Sequence, residues 1–346
     1  MDIVVLYGGL SMERDVSYSS GVGIARALRE RGHRVVLMDV FFGYEGTYKN
    51  PRALFTEAQA IGDYAVPMAE PDLQKVKARR QQDDDSLLGR NVLDICRAAD
   101  ITFFALHGDE GENGKLQACF DIYGIPYTGS GYLGSALAMN KAVTKRLFTA
   151  AGIPTPPGVT LRRGVEPYGN VGFPCVVKPC SGGSSVGTSI VSREEDFVAA
   201  LDDAFACEDS IIVERYIKGR ELTVGVIDGR PLPVVEIIPH EGFYDYKNKY
   251  QAGRTEELCP APIGEELTER VQRLAVQVCE ALMVEAYGRA DFLLDEADGT
   301  VYCLEANTLP GMTPTSLVPR MAETLGWSFG ELCERILEAS MRKYIS

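Results

Sequence analysis

The most restrictive feature of this sequence is the stretch at residues 288–316, which reads GRADFLLDEADGTVYCLEANTLPGMTPTS. Two short apolar runs, at 290–294 and 301–304, flank a polar turn centred on Asp298 and Gly299. Apolar runs of this length on either side of an Asp-Gly turn are typical of a β-hairpin. The chain must therefore fold around two neighbouring antiparallel strands near its carboxyl end.

The length of this turn decides which side chains the two strands bring together. A three-residue turn, with Gly299 in the left-handed conformation, predicts that Asp291 lies directly opposite Glu305. Side chains two residues apart share one face of a strand, so Arg289 joins Asp291 and Asn307 joins Glu305. A turn of two residues would shift the register by one and scatter this group.

The predicted group has a chemical meaning. Two carboxylates and a carboxamide are hard oxygen donors, which suit Mg²⁺ better than Zn²⁺ or copper. Mg²⁺ usually takes few protein ligands because phosphate oxygens supply the rest, so a nucleoside triphosphate is the expected ligand. Glu305, between two neighbours, could bridge two metal ions. A surface hairpin with solvated acidic side chains is the alternative, because short motifs recur by accident.

Length and charge limit the classes of protein to which the chain can belong. Its 346 residues predict two or three compact units, and its net charge of −14 argues against nucleic acid as a partner. A locally basic pocket could still hold a nucleotide. Nine cysteines without a C-x-x-C motif indicate buried thiols in a reducing cytosol. No signal peptide or membrane-spanning run is recognisable, so a cytoplasmic protein without a membrane contact is expected.

The amino-terminal part predicts a parallel sheet. A strand at 3–6, a glycine loop, a helix at 17–31 and a strand at 35–37 form a βαβ unit. Glu13 follows the first strand, at the edge where open α/β sheets place ligand groups, although a lone loop glutamate is more often solvated. His107 ends a further strand at 101–106, where it could contact a substrate carboxylate or fix its own loop.

A second unit begins with a predicted helix at 135–151, which carries Lys141. A strand at 175–179, the Gly/Ser loop at 181–187 and a strand at 188–191 form a hairpin. The backbone N–H groups of its loop can approach a phosphate because glycines remove the steric block. A flexible hairpin tip without a ligand is the alternative. The Gly-Lys-Ser/Thr of a Walker loop is absent.

The region after this hairpin predicts a base-binding edge and a lid. The backbone of Glu214-Arg-Tyr-Ile could read an adenine, while Glu214 and Glu221 accept hydrogen bonds from its amino group and the ribose. Residues 242–257 are polar, aromatic and without periodicity, which is typical of a functional lid loop. Residues 41–94 are interpreted as a peripheral excursion with a solvated acidic run.

Eight motifs, in order along nearly the whole chain, resemble those of the D-alanine–D-alanine ligase family of the ATP-grasp superfamily. They are GGLSMERDVSYSSG, HGDEGENGKLQ, IPYTGSG, AMNK, VVKPCSGGSSVG, FYDYKNKY, GRADFLL and LEANTLPGMT. The sequence departs from the family pattern at Asn113, where the family usually has Asp. It also departs at residues 180–182, where many members carry an Arg-Glu form of the phosphate loop.

The resemblance implies a fold, a reaction and partners. The fold is a three-domain α/β architecture with a parallel-sheet βαβ domain (1–131) and two α+β domains (132–216 and 217–346) that grip ATP. In the implied reaction, the carboxylate of one D-alanine attacks the γ-phosphate of ATP to give an acyl phosphate. The amine of a second D-alanine then displaces phosphate, for peptidoglycan precursor synthesis. ATP as substrate, two Mg²⁺ or Mn²⁺ ions and a homodimer are implied as well.

Matching motifs also imply a role for individual residues. Metal ligands are implied at Asp291, Glu305 and Asn307. Contacts with ATP are implied at Lys141, Lys178, Ser184, Glu214, Tyr216, Ile217, Glu221 and Lys249. Contacts with the amino-acid substrates and the intermediate are implied at Glu13, His107, Ser184, Tyr250, Arg289, Gly311 and Ser316.

Within the amino-acid site, the resemblance distributes the work over named groups. Glu13, helped by His107, binds the ammonium group of the first D-alanine, and Ser316 takes the carboxylate of the second. Arg289 and the Gly311 N–H form the oxyanion site for the tetrahedral intermediate.

Site closure and acceptor choice are assigned to Ser184 and Tyr250, which link to Glu13 through hydrogen bonds. Relatives that make D-alanyl-D-lactate differ in the lid loop, so Lys249 and Tyr250 favour an amine acceptor. Two alternatives stay open at this point. One is a related ligase that uses D-serine or D-lactate as second substrate. The other is a nucleotide-binding regulator without catalysis, which would be expected to have lost a metal ligand or Arg289.

Overall fold

The computed structural model describes most of the chain, namely residues 1–57, 60–62, 64, 66–67, 71–80, 86–165, 171–183, 186–240 and 255–345. Three predicted site residues, Ser184, Lys249 and Tyr250, lie outside the described residues, as does the predicted lid between 242 and 254. Among the described residues, no helix has both the length and the apolar character needed to cross a membrane.

The amino-terminal part is built on a parallel sheet. Its elements are β1 (Asp2–Tyr7), α1 (Arg14–Glu30), β2 (Arg34–Asp39), a 3₁₀ turn (Pro51–Phe55), α2 (Leu73–Arg79), α3 (Val92–Ala98), β3 (Ile101–Phe104), α4 (Asp109–Glu112) and α5 (Lys115–Tyr123). The strand order is β2-β1-β3 and both pairings are parallel, as predicted. Because the carboxyl ends of β1 and β3 meet at one edge, the loops that carry Glu13 and His107 lie side by side.

The central part carries an antiparallel sheet. Its elements are α6 (Tyr132–Met139), α7 (Lys141–Ala150), β4 (Gly158–Arg162), β5 (Cys175–Pro179), β6 (Ser189–Val191), a 3₁₀ turn (Glu194–Asp196), α8 (Phe197–Cys207) and β7 (Ser210–Arg215). The strand order is β4-β7-β5-β6. The prediction of a single helix at 135–151 is wrong. Asn140 interrupts it, because its side chain accepts a hydrogen bond from the Val143 N–H (3.1 Å) and caps α7.

The third part contains the largest sheet. Its elements are β8 (Gly219–Ile227), β9 (Arg230–Pro231), β10 (Val235–Pro239), β11 (Thr255–Leu258), α9 (Glu265–Ala281), β12 (Tyr287–Asp295), β13 (Val301–Asn307), α10 (Leu317–Thr324), α11 (Phe329–Met341) and a 3₁₀ turn (Arg342–Tyr344). The strand order is β11-β10-β8-β12-β13, with β9 paired to β8. The prediction that the lid loop extends to 257 is wrong, because residues 255–258 pair with β10 as an edge strand.

The hairpin of β12 and β13 has the predicted pairing of Asp291 with Glu305, but a different turn. Gly299 has the predicted positive φ of 71°. Nearest the turn, however, Leu294 pairs with Val301, one residue away from the predicted register. A β-bulge restores the register, because Phe292 pairs with Cys303 while Asp291 pairs with Glu305, which leaves Leu304 as the extra residue. The turn that was predicted is therefore wrong, and the bulge produces the same pairing beyond it.

The amino-terminal and carboxyl-terminal elements share one hydrophobic core. Ile24 and Leu28 of α1 belong to the same buried cluster as Met321 of α10 and Ile336 of α11. Each sheet falls inside one of the three predicted units, while the exact unit boundaries stay predictions. The two antiparallel sheets contribute opposite walls of one cleft, and the loops of the parallel sheet close one end of it.

Candidate active site

The polar group predicted on the hairpin lies on one face of the large sheet. Arg289 donates from Nε and Nη2 to the two carboxylate oxygens of Asp291, at 2.8 and 2.7 Å. Asn307 donates from Nδ2 to Asp291 Oδ2 at 2.9 Å. Arg289 pairs across the strands with Asn307, and Asp291 with Glu305. The structure thus brings all four predicted side chains together, and Arg289, Glu305 and Asn307 line one end of the cleft.

The donor set of this group fits Mg²⁺ or Mn²⁺. Asp291 is 7% exposed, and Thr223 of β8 also donates to it at 2.6 Å. Among the described residues, no group of three or more His, Cys, Asp or Glu side chains could hold a metal ion, so a site with three protein ligands here would need the amide oxygen of Asn307. Two carboxylates and one amide oxygen are hard ligands of the kind that Mg²⁺ prefers. Arg289 engages both Asp291 oxygens, so bound ions would have to exchange with this contact.

Lys141 connects the hairpin to the phosphate loop. It is the first residue of α7, and its Nζ lies 3.1 Å from Glu305 Oε2 and donates to Gly182 O at 2.8 Å. The altered loop segment has its own anchor, because Ser181 donates from its backbone N–H (2.7 Å) and its hydroxyl (3.1 Å) to the carboxylate of Glu208. The departure from the family pattern is thus accompanied by an anchor to the end of α8.

A buried cluster of two lysines and one glutamate lies beneath the phosphate loop. Glu214 is 3% exposed and forms ion pairs with Lys178 and, at 2.7 Å, with Lys145. Burial alone would raise the pKa of Glu214, but the ammonium groups of Lys178 and Lys145 lower it, so the carboxylate is ionised. Burial would lower the pKa of Lys178, but the Glu214 carboxylate raises it. Two cations and one anion leave a net positive charge, which suits a phosphate.

The end of the cleft that Lys178 and Glu214 line has apolar walls that could hold a planar base. They are contributed by both antiparallel sheets and the segment between them, at Val176, Val186, Ile190, Ile217, Leu293 and Leu304. Because Leu304 is the extra residue of the β-bulge, Leu304 and its neighbour Glu305 both line the cleft. Tyr216 also lines the cleft, with its N–H donated to Pro174 O at 3.2 Å. Glu221 pairs with Leu293 on the cleft face of β8, but it is not among the residues that line the cleft.

Glu13 and His107 lie at the other end of the cleft, which Arg289 and Asn307 also line. The Glu13 carboxylate packs against two glycines, since a Cβ atom would lie 3.0 Å from it at Gly108 and 3.5 Å at Gly183. His107 is buried, and its ring nitrogens contact Leu309 O through Nδ1 (2.9 Å) and Ser20 Oγ through Nε2 (2.8 Å).

The contacts of His107 define its protonation state. Leu309 O can only accept, so Nδ1 carries the proton. The Ser20 hydroxyl accepts from the Met312 N–H (3.3 Å), which leaves its own O–H to donate to Nε2. Burial lowers the pKa of His107, in agreement with a neutral ring. Both nitrogens therefore engage the protein itself, which favours the alternative of a histidine that fixes neighbouring loops.

The loop after β13 supplies the remaining predicted groups. Gly311 and Ser316 both line the cleft, and a Cβ atom at Gly311 would lie only 2.7 Å from Ser316 Oγ. Ser316 lies at the N-cap position of α10 without a side-chain hydrogen bond to the helix, and its hydroxyl accepts from the Thr313 N–H at 3.0 Å. The N-terminus of a helix carries partial positive charge, which suits a carboxylate.

Several residues of the site were missed from the sequence. Glu112 accepts hydrogen bonds from the N–H groups of Gly108 (2.9 Å), Thr308 (3.2 Å) and Leu309 (3.0 Å). Burial and the nearby Glu13 carboxylate raise the pKa of Glu112 to about 7.

Two signals in the sequence could have indicated such residues. Glu112 and Ser20 lie inside the HGDEGENG and SYSSG motifs, and Lys145 lies four residues after Lys141, on the same helix face. For Thr223 and Leu304 the sequence offers no such signal, because their placement depends on strand register.

Comparison with known proteins agrees with this geometry. The family description "D-ala D-ala ligase N-terminus" matches residues 2–130, and "D-ala D-ala ligase C-terminus" matches residues 147–338. The chain is similar to the D-alanine–D-alanine ligase of Pediococcus pentosaceus, at 42% identity with 99% of each chain covered. It is also similar to that of Lacticaseibacillus casei, at 42% identity with 99% of this chain and 97% of the relative covered.

Solved structures resemble the chain over its whole length. The D-alanine–D-alanine ligase from Bacillus anthracis complexed with ATP has a TM-score of 0.74 at 29% identity, with 99% of this chain and 98% of that chain covered. The VanG D-Ala:D-Ser ligase from Enterococcus faecalis has a TM-score of 0.74 at 28% identity, with 98% and 99% covered. The mixed α/β fold is thus the predicted ATP-grasp fold, and the chain belongs to the D-alanine–D-alanine ligase family.

Proposed function

We propose that this protein joins two D-alanine molecules to D-alanyl-D-alanine with consumption of ATP, for peptidoglycan precursor synthesis. The observation that carries this proposal is the convergence of Arg289, Asp291, Glu305 and Asn307 at one end of a cleft that also contains two lysines and an apolar slot. A carboxylate is a poor acyl donor, and phosphorylation supplies a leaving group. The protein must then supply positioning, charge neutralisation and exclusion of water.

In the first step, a carboxylate oxygen of one D-alanine attacks the γ-phosphorus of ATP and ADP leaves, which gives an acyl phosphate. Lys141 and Lys178, with Lys249 from the lid, would bind the phosphates. Glu214 and Glu221 would contact the adenosine, together with the backbone at Tyr216 and Ile217 and the apolar walls described above.

The metal ligands would be Asp291, Glu305 and Asn307, with Glu305 shared between two Mg²⁺ or Mn²⁺ ions. When bound, such ions neutralise the developing negative charge on phosphate oxygens. Arg289, in the same group of side chains, would direct its guanidinium to the reacting carbonyl.

In the second step, the amine of the second D-alanine attacks the acyl carbon, phosphate leaves and the nitrogen loses a proton. Arg289 and the Gly311 N–H would stabilise the oxyanion of the tetrahedral intermediate. Glu13 would bind the ammonium of the first substrate, in a loop whose Ser11 hydroxyl donates to His107 O at 2.6 Å, and Ser316 would bind the carboxylate of the second. Ser184 and Tyr250 would close the site through hydrogen bonds to Glu13.

A related ligase that uses D-serine as second substrate is the second candidate. The observation in its favour is that the solved D-Ala:D-Ser ligase has the same TM-score, 0.74, as the D-alanine–D-alanine ligase from Bacillus anthracis. Such an enzyme would keep the ATP and metal residues and change only the acceptor pocket.

Phosphate release with D-alanine, L-alanine, D-serine and D-lactate, tested separately and in pairs, distinguishes these candidates. D-Alanine alone is expected to support turnover with D-alanyl-D-alanine as product. Turnover only with the pair of D-alanine and D-serine would favour the second candidate. Absence of phosphate release with every combination would contradict both.

We also propose a cytoplasmic location, a homodimer and three domains at 1–131, 132–216 and 217–346. The family resemblance supports the first two proposals, and the confinement of each sheet to one unit supports the third. Light scattering during gel filtration tests the proposed dimer. The measured mass should be twice the chain mass of 37.8 kDa.

A further inference from the structure

We propose that Glu112 and Ser20 are positioning residues, which hold the loop at 308–312 and thereby aim the Gly311 N–H at the reacting carbonyl. The inference rests on the proposed function, because it assigns the aim of a group in the proposed oxyanion site. Ser20 does not line the cleft; Glu112 does, but both of its carboxylate oxygens are engaged by backbone N–H groups. Both residues would act through the backbone of the loop.

The loop at 308–312 is held mainly by side chains from the amino-terminal part. Glu112 accepts from the N–H groups of Thr308 and Leu309 through one oxygen, at 3.2 and 3.0 Å. His107 donates from Nδ1 to Leu309 O at 2.9 Å. Ser20 accepts from the Met312 N–H at 3.3 Å. In total, three side chains of the amino-terminal part bind four backbone groups of this loop, three before Gly311 and one after it.

These three side chains are themselves linked. Ser20 contacts His107 Nε2 at 2.8 Å, and the second oxygen of Glu112 accepts from the N–H of Gly108, the residue after His107. Thr308, Leu309 and Met312 are each no more than 2% exposed, so water cannot easily replace the lost bonds. A change at Glu112 or Ser20 should therefore shift the loop.

Gly311 lies between residues whose backbone groups are hydrogen-bonded by these side chains, but none of the three side chains binds the Gly311 N–H. Within the described part of the chain, no protein group accepts a hydrogen bond from its N–H, and the residue lines the cleft. The direction of this N–H is therefore determined by its neighbours. An oxyanion donor must lie within about 2.7–3.1 Å of the developing charge, and a misplacement of about 1 Å can cost about 100-fold in rate.

A positioning role and a general structural role differ in what a substitution changes. The nucleotide end of the cleft is built by other elements, so a displaced loop should lower kcat and leave nucleotide binding intact. A substitution that disturbs the whole structure would lower both kcat and the affinity for nucleotide. The tetrahedral intermediate should suffer most, because Gly311 is proposed to contact it and not the ground state.

The test compares Glu112→Ala, Glu112→Gln and Ser20→Ala with the wild type. Glutamine has a single acceptor oxygen. If this oxygen keeps the bonds to Thr308 and Leu309, the amide NH₂ group must face the Gly108 N–H, and two donors then meet without an acceptor. We expect kcat to fall about 100-fold for Glu112→Ala, and about tenfold for Glu112→Gln and Ser20→Ala.

Two binding measurements accompany the rates. The affinity for a non-hydrolysable ATP analogue is expected to stay within about twofold in every variant. A phosphinate dipeptide analogue, whose tetrahedral phosphorus resembles the intermediate, is expected to lose affinity in proportion to kcat. Asp109→Asn is the matched control, because it removes a charge from the same short helix and Asp109 contacts Asn113 and not the loop.

The outcomes separate this inference from the proposed function. A wild type without ligase activity would overturn the proposed function. An active wild type with variants whose kcat is unchanged would overturn the inference alone. The inference would also be overturned if the affinity for the ATP analogue dropped as much as kcat, or if the phosphinate bound all variants with equal affinity. Glu112→Gln, which is nearly isosteric, keeps the test valid should Glu112→Ala not fold.

Discussion

Replacement of Lys145 by methionine should destabilise the protein by uncovering the buried Glu214 carboxylate. Lys145 Nζ donates to Glu214 Oε2 (2.7 Å), Thr155 Oγ1 (2.9 Å) and Pro156 O (2.7 Å), with its side chain 13% exposed. Methionine keeps the apolar stem and removes all three bonds.

The magnitude follows from what remains after the change. Loss of one partner of a buried ion pair costs about 3–5 kcal/mol when the other charge is left alone. Here Lys178 still pairs with Glu214, so we expect a smaller loss, about 2–3 kcal/mol. Because the lysines lower the pKa of Glu214, their stabilisation is present above its unfolded pKa, about 4.3. It is lost as the pH falls through the lower pKa of the folded state.

The assay is urea denaturation at pH 7 for Lys145→Met, Glu214→Gln and the double variant. In the Glu214→Gln background, the loss caused by Lys145→Met should shrink by about 1 kcal/mol or more. Lys75→Met is the matched control, because Lys75 forms an ion pair of 2.9 Å with Asp72 while 83% exposed, and it should leave stability unchanged. Equal losses for Lys145→Met and Lys75→Met, or full additivity in the double variant, would refute the reasoning.

Three further changes test other parts of the site. Gly311→Ala should lower kcat about 100-fold, because the new methyl carbon would lie 2.7 Å from Ser316 Oγ. Gly23→Ala is the control, since the nearest atom is 3.6 Å away and kcat should be unchanged. Equal kcat values for the two variants would contradict this. Glu112→Gln should flatten the pH dependence of stability. Because the folded pKa of Glu112 is about 7, its contribution to the free energy of unfolding is full below about pH 4.5 and falls by on the order of 3 kcal/mol by pH 7. Urea denaturation at pH 5 and pH 8 tests this. An equal change in stability between the two pH values for wild type and Glu112→Gln would contradict it. Tyr250→Phe should raise turnover with D-lactate relative to D-alanine as acceptor, and an unchanged product ratio would show that the lid does not select the acceptor.

Local patterns in the sequence were enough to predict the hairpin and the amino-terminal βαβ unit. Two short apolar runs and an Asp-Gly turn predicted β12 and β13, and the pairing of Asp291 with Glu305 is present. The turn was wrong because nothing in the local pattern distinguishes a three-residue turn from a longer turn followed by a bulge. Leu304 faces the cleft beside Glu305 only because of that bulge.

The helix that carries Lys141 shows a second limit. Its apolar periodicity continues through Asn140, so the pattern predicts one helix, whereas the asparagine side chain caps a new one. The break places Lys141 at a helix start, with its N–H donated to Cys180 O at 2.8 Å. Contacts between distant parts of the chain, such as Glu112 with Leu309, could not be predicted, since they depend on how the sheets pack together.

Manganese binding in the presence of a non-hydrolysable ATP analogue tests the central claim most directly. That claim is that Asp291, Glu305 and Asn307 hold cations against the triphosphate. Titration followed by electron paramagnetic resonance should show two bound Mn²⁺ ions per wild-type chain. Glu305→Gln and Asp291→Asn should each lose at least one ion. Wild-type stoichiometry and affinity in both variants would contradict the claim.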